Sequence, residues 1–146
     1  MGAVPGCELC EQDGGLLVAR HACWRVIRAQ DADHPAFYRV IWQAHVAEWT
    51  DLSTDDRAQM MRVVETVETV LRQVLRPTKV NLASLGNVVP HLHWHVIARF
   101  DWDARWPAPV WAAPQRRVPD AEQRLAVPLK ELDQRVAFAL KPLLGG

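Results

Sequence analysis

Within the segment Val88-Val89-Pro90-His91-Leu92-His93-Trp94-His95-Val96-Ile97-Ala98-Arg99, residues 91–96 alternate imidazole with apolar side chains at a strict period of two. In an extended strand successive side chains point to opposite faces, so His91, His93 and His95 share one face and Leu92, Trp94 and Val96 the other. A helix would bring His91 and His95 one turn apart, but Pro90 and the unbroken alternation favour a strand over 88–99. Giving three alternate positions to imidazole forgoes a hydrophobic face, and packing offers no stability in return. The face therefore reads as chemical. His21 and His34, isolated in loop-like sequence, read as satisfied polar residues.

Two chemistries suit such a face. Neutral imidazole is a common zinc ligand, yet three histidines along one strand span about 13 Å, too far for all of them to ligate one ion. The alternative is nucleophilic catalysis, in which one imidazole attacks an electrophile and its neighbours position it and the group it attacks. An ordinary pKa near 6.5 leaves imidazole a useful nucleophile at neutral pH, and its phosphoramidate is labile. His93, flanked on both sides, is the best supported centre.

The rest of the chain supplies a frame for that strand. Leu16–Val18 and Trp24–Ile27 read as a hairpin-like pair of strands, Gln30–Pro35 as a loop and Phe37–Trp42 as a third strand. Thr50–Arg76 carries a long helix: Ser53 can cap it, Asp55 and Asp56 complement its dipole, and Met61, Val64, Val67, Leu71 and Val74 recur on one face. Arg76-Pro77 ends it. Val80–Ser84 is a fourth strand and Gly86-Asn87 a turn. After the histidine strand comes a Trp/Pro-rich segment, Asp101–Pro119, read as an irregular loop lying against the body of the protein, and then a helix from about Pro128 to Leu140 with Leu129, Leu132, Val136 and Leu140 at helical spacing. The expected fold is α+β, an antiparallel five-stranded sheet with one long helix and a C-terminal helix. Residues 1–146 form a single domain, with a core over about 7–100 and an extension over 101–146.

Lys plus Arg and Asp plus Glu each number 17, so the formal charge is zero and no field recruits nucleic acid or an anionic membrane. No apolar run reaches the roughly 20 residues that span a bilayer, and a cytoplasmic protein is the expectation. Three cysteines argue for reduced thiols or a metal rather than a disulfide framework. Cys23 lies in an apolar run and reads as a packing residue. Cys7-x-x-Cys10 is by itself a weak zinc signal, with two reduced cysteines in a turn as the plain alternative.

The string His91-Leu92-His93-Trp94-His95-Val96-Ile97, led in by Gly86-Asn87-Val88-Val89-Pro90, resembles the signature of the histidine triad (HIT) family of nucleotide hydrolases and transferases. The likeness extends to Val40-Ile41-Trp42-Gln43-Ala44-His45-Val46, to Asp51-Leu52 before the long helix and to Cys7-x-x-Cys10. The Trp-rich tail resembles a bacterial subgroup described as diadenosine tetraphosphate hydrolase-like. The resemblance implies that His93 attacks the α-phosphorus of a nucleotide, that His95 contacts the phosphoryl oxygens and that Asn87 donates a hydrogen bond beside the bridging oxygen. Asn81 resembles a phosphate or ribose contact, with a backbone-bonded asparagine as the equal alternative, and Asp31 or Asp33 would meet the ribose hydroxyls. Phe37 stands where several members carry a histidine, and Val88 where a hydroxyl often faces the phosphate.

The resemblance also implies a structural zinc held by Cys7, Cys10, His45 and His91, with His93 steadied through His91; without zinc, His91 would orient His93 by hydrogen bonding. Any Mg2+ travels with the substrate. Trp102, Trp106 and Trp111 read as packing residues, with stacking on a base or closing a subunit interface as the less common uses. The function so implied is nucleotide-phosphate hydrolysis or nucleotidyl transfer through a nucleotidyl-histidine intermediate, on dinucleoside polyphosphates or related adenine nucleotides, in a homodimer. A non-catalytic nucleotide-binding or sensor module of the same fold is the alternative, and a hydrolase whose zinc does the chemistry is a third reading.

Overall fold

A computed structural model of the chain describes residues 2–145. A short helical turn, α1 (Glu8–Glu11), precedes β1 (Leu16–Arg20), β2 (Trp24–Arg28) and β3 (Phe37–Trp42). After a 3-10 turn at Trp49–Asp51 come α2 (Thr54–Leu75), β4 (Lys79–Ala83) and β5 (His93–Arg99), and the chain closes on α3 (Leu129–Leu144). The strands form one antiparallel sheet in the order β1-β2-β3-β5-β4. The α+β architecture read from the sequence is the observed one.

Each strand shows one face to the helices and the other to the histidines. Val26, Tyr38, Val40, Leu92 and Val96 pack with Met60, Val63, Val64, Val67 and Leu71 of α2 and with Leu132, Val136 and Leu140 of α3 in the main core. Burial of each large side chain there stabilises the fold by roughly 1.5–3 kcal/mol. Trp94 also lies against this core, edge-on to Trp49 with ring centroids 5.4 Å apart. Helix α3 is further fixed by Asp133, which accepts from the Tyr38 hydroxyl (2.6 Å) and from Arg28 Nε (2.9 Å).

Local chemistry sets the ends of α2. The Ser53 hydroxyl accepts from the Asp56 N–H, and Asp55 and Asp56 sit in the positive first turn. Arg76 takes the left-handed conformation (φ 48°) that stops the helix before Pro77. The long helix is thus Thr54–Leu75 rather than Thr50–Arg76, because Trp49–Asp51 forms its own tight turn with Glu48 and Asp51 capping each other. The C-terminal helix runs past the expected Leu140 to Leu144, while all four apolar residues that defined it are buried.

The histidine strand also needs correction: it begins at His93, not at Val88. Residues 88–91 bend, and the His91 N–H turns back to the Val89 carbonyl (2.8 Å) instead of joining a ladder. His91 is therefore placed by a bend at the strand entrance, whereas His93 and His95 are placed by the pleat. Among the described residues no helix is long and apolar enough to cross a membrane.

Candidate functional site

The sheet face away from the main core carries every odd-numbered residue of β5. Register places Ile41 of β3 opposite His93 and Arg39 opposite His95, so both side chains share the histidine face. His93 and His95 are buried, their rings edge-to-face at 4.9 Å. Phe37 meets the His95 ring edge-to-face on one side, with ring centroids 5.5 Å apart, and the Trp111 ring meets it on another, with centroids 5.1 Å apart.

A single backbone group orients His93: its Nδ1 donates to the His91 carbonyl at 2.6 Å. That bond fixes the tautomer with the proton on Nδ1 and leaves the Nε2 lone pair free. The ring of His91 does not do the orienting; its carbonyl does, and its ring is engaged elsewhere. Burial pushes the His93 pKa below the ordinary value, against the opposing pull of the His91 carbonyl and with help from the Arg39 charge. His95 is pushed down to about 3, by burial first, then by His93 and Arg39. Both rings are consequently neutral at physiological pH, the form in which imidazole attacks phosphorus.

On the entrance side of His93 four further residues converge. The turn of α1, closed by Cys10 N–H and Glu11 N–H to the Cys7 carbonyl (3.1 Å each), presents both thiols together. Arg25 pins that turn to β2, donating to the carbonyls of Leu9, Gln12 and Asp13. The His91 ring offers Nδ1 to Cys7 Sγ (3.4 Å) and Cys10 Sγ (3.5 Å), while its Nε2 donates to the Trp42 carbonyl at 2.6 Å. His45 Nδ1 lies 3.5 Å from Cys10 Sγ, and the four donor atoms all fall within 4.8 Å of one another. A tetrahedral zinc with thiolate and imidazole ligands has S···N edges of about 3.5 Å, and a histidine ligand characteristically gives its other nitrogen to a carbonyl. The residues fit that ion in donor type, spacing and outer hydrogen bonding.

The remaining sequence candidates are placed differently. Asn81 shares the histidine face through its register with Ile97, and its Oδ1 accepts from Arg99 Nη1 (2.9 Å). Asp31 caps its own loop, accepting from the N–H groups of Asp33 and His34 (3.0 Å each), and Asp33 pairs with Arg105 at 2.9 Å. Asn87 is exposed in the turn before His91 and makes no side-chain hydrogen bond among the described residues. Cys23 is half-buried against the main core. His21 lies stacked on Trp24 and accepts from the Cys23 N–H at 3.0 Å. His34 is buried 3.6 Å from the carboxylates of both Asp31 and Asp103.

Sequence reasoning passed over two features. Arg39 alternates with Phe37 and Ile41 in β3, and a charge on a strand buried on both sides was the available signal. Asp103 is 2 % exposed and accepts from Arg99 Nε (2.8 Å), Arg99 Nη2 (3.1 Å) and the N–H groups of Phe100, Arg105 and Trp106. Through it the 101–119 segment is seated on the sheet, with Val110 against Phe37 and Ile97, Trp106 under the Arg99 guanidinium and Trp102 stacked on Phe100. Trp111 alone of the three remains half exposed, beside His95.

The family model for the HIT domain matches residues 16–102. The chain belongs to the HIT domain family. Its fold is accordingly that of a family of nucleotide-binding proteins, hydrolases and transferases. A histidine triad protein from Bradyrhizobium japonicum is similar at 30% identity over 90% of this chain and 92% of its own, with a TM-score of 0.67. One from Sinorhizobium meliloti is similar at 26% identity over 88% of this chain and 91% of its own, with a TM-score of 0.70. A zinc-bound histidine triad family protein from Mycobacterium smegmatis shares the fold at 20% identity, 94% and 92% coverage and a TM-score of 0.58. No curated protein sequence matches the chain.

Proposed function

We propose that this HIT protein hydrolyses or transfers nucleotides through a covalent adduct on His93, with dinucleoside polyphosphates or related adenine nucleotides as substrates, as in the diadenosine tetraphosphate hydrolase-like branch. The observation that carries the reading is the 2.6 Å bond from His93 Nδ1 to the His91 carbonyl, which aims an unprotonated Nε2 away from the backbone beside a second neutral imidazole. In the first step Nε2 attacks the α-phosphorus, a P–N bond forms, and the P–O bond to the leaving group breaks with its electron pair going to that oxygen. In the second, water or another acceptor attacks the same phosphorus, the P–N bond breaks, and His93 regains its lone pair. His95 contacts the phosphoryl oxygens, and Asn87 and Asn81 supply donors to phosphate or ribose, with Asp31 or Asp33 at the ribose hydroxyls. Trapping tests the intermediate: incubation with diadenosine polyphosphates, alkaline quenching to preserve the acid-labile P–N bond, and peptide mass spectrometry will show a nucleotidyl increment on the His93 peptide. Turnover with no adduct at any quench time overturns the mechanism.

The same reading gives Cys7, Cys10, His45 and His91 a structural zinc. Bound there, the ion would tie the α1 turn to the base of β5 and hold the carbonyl that orients His93; the chemistry stays with the imidazoles. Metal analysis of purified protein is expected to find one zinc per chain. Stripping it, or Cys10→Ser, should lower stability by about 4 kcal/mol, the linkage expected when free metal exceeds its Kd a thousandfold. Metal-free protein of unchanged melting temperature would remove the zinc from this account.

A further inference from the structure

Three arginines lie on the histidine face, and the fold treats one of them differently. Arg25 gives its guanidinium donors to Leu9, Gln12, Asp13 and Gln43, and Arg99 gives its own to Asp103, Asn81 and Ala108. Arg39, directly opposite His95, has one protein acceptor among the described residues, the Gly14 carbonyl, reached by Nη1 at 3.1 Å. Its Nε is buried with no hydrogen-bond partner, and no carboxylate lies within 4.0 Å of it among the described residues; Glu8 and Asp31 act on it only from farther off. The guanidinium rests 5.2 Å over the Phe37 ring. A half-buried guanidinium is costly unless an anion compensates it, and a protein that saturates two neighbouring arginines has left this one open.

Resting on the function proposed above, we propose that Arg39 binds the phosphate of the leaving group, so that the site selects phosphoanhydrides of nucleoside polyphosphates over nucleotides whose leaving group carries no phosphate. His93 and Arg39 are diagonal neighbours across β5 and β3, a separation of about 7–8 Å between backbones. That distance accommodates one phosphorus at the imidazole and a second, covalently linked phosphate at the guanidinium. A planar fork with open donors is the side chain suited to two phosphate oxygens at once.

The test is a selectivity ratio. For Arg39→Gln the kcat/KM for diadenosine triphosphate, relative to that for adenosine phosphoramidate, is expected to fall by about 10- to 100-fold, the range for losing a charge-assisted bond to phosphate. Arg39→Lys, which keeps the charge and the apolar stem, should fall between. Calorimetric titration with pyrophosphate should show binding by the wild-type protein weakened at least about tenfold in Arg39→Gln, with AMP affinity changed less. An unchanged ratio, equal losses on both substrates in both variants, or wild-type protein that does not bind pyrophosphate each overturns the assignment. Arg39-dependent pyrophosphate binding by a protein that turns over neither substrate would sustain the anion site while overturning the catalytic reading.

Discussion

Replacing His93 by alanine is expected to lower kcat/KM by at least about 1,000-fold and to abolish the covalent adduct, since removing a nucleophile forfeits the chemical route rather than one contact within it. The variant should fold. His93 contributes one hydrogen bond and ring contacts on the site face, whereas the main core lies on the other side of the sheet. His95→Ala should cost less, about 10- to 1,000-fold, as the loss of a donor to developing charge does. Free imidazole added to His93→Gly should restore part of the first step, and no rescue by imidazole in His95→Gly would separate the two roles. Retained turnover in a clean preparation of His93→Ala refutes the nucleophile.

The pH dependence follows from the same two rings. Both pKa values lie below the ordinary 6.5, His95 at about 3, chiefly through burial. In the folded chain the imidazoles are neutral above pH 6.5, so kcat/KM should be flat there, with its acid limb displaced below 6.5; well above 6.5 the unfolded chain's histidines are neutral too, and stability is then independent of them. As pH falls through 6.5 the unfolded chain takes up protons that the folded one refuses, so stability declines progressively toward the folded values.

How far the sequence alone could reach is shown by the histidines. Period two announced a two-faced strand, and Leu92, Trp94 and Val96 do lie against the core while His93 and His95 lie opposite. It could not show that His91 sits in a bend before β5, because the Val89 carbonyl captures its N–H and no local pattern encodes that competition. The Cys7, Cys10, His45 and His91 grouping was legible through resemblance, and the fold draws those four donors together from three distant places in the chain. Helix α2 was legible from its caps and its periodicity. Arg39 was not, since its significance lies in lacking partners that Arg25 and Arg99 have, and partnership is a property of the folded chain.

The 101–119 segment was the least legible part, and its largest expected effect lies at Asp103. A loop rich in Trp and Pro shows no period, so sequence could say only that it lies against the body. In the fold Asp103 is the point of attachment: one buried carboxylate binds the Arg99 guanidinium and three backbone N–H groups, held well ionised by those bonds despite burial. Asp103→Ala would leave Arg99 buried without its counter-charge, with Asn81 and the Ala108 carbonyl as remaining partners. The expected cost is about 3–5 kcal/mol, or roughly 6–20 °C in Tm for a chain of this size. Because the same residue holds the segment that carries Val110 and Trp111 to the histidine face, kcat/KM should fall at temperatures where the variant is still folded. The paired replacement Arg99→Met with Asp103→Leu removes both charges together and should recover much of the stability. It would not recover the backbone caps, so the segment would stay mobile and the activity low. Thermal melts and kinetics on the single and double variants decide it: a single variant losing less than about 1 kcal/mol, or a double variant no better than the single, would show that the segment is held by its apolar contacts and not by the ion pair.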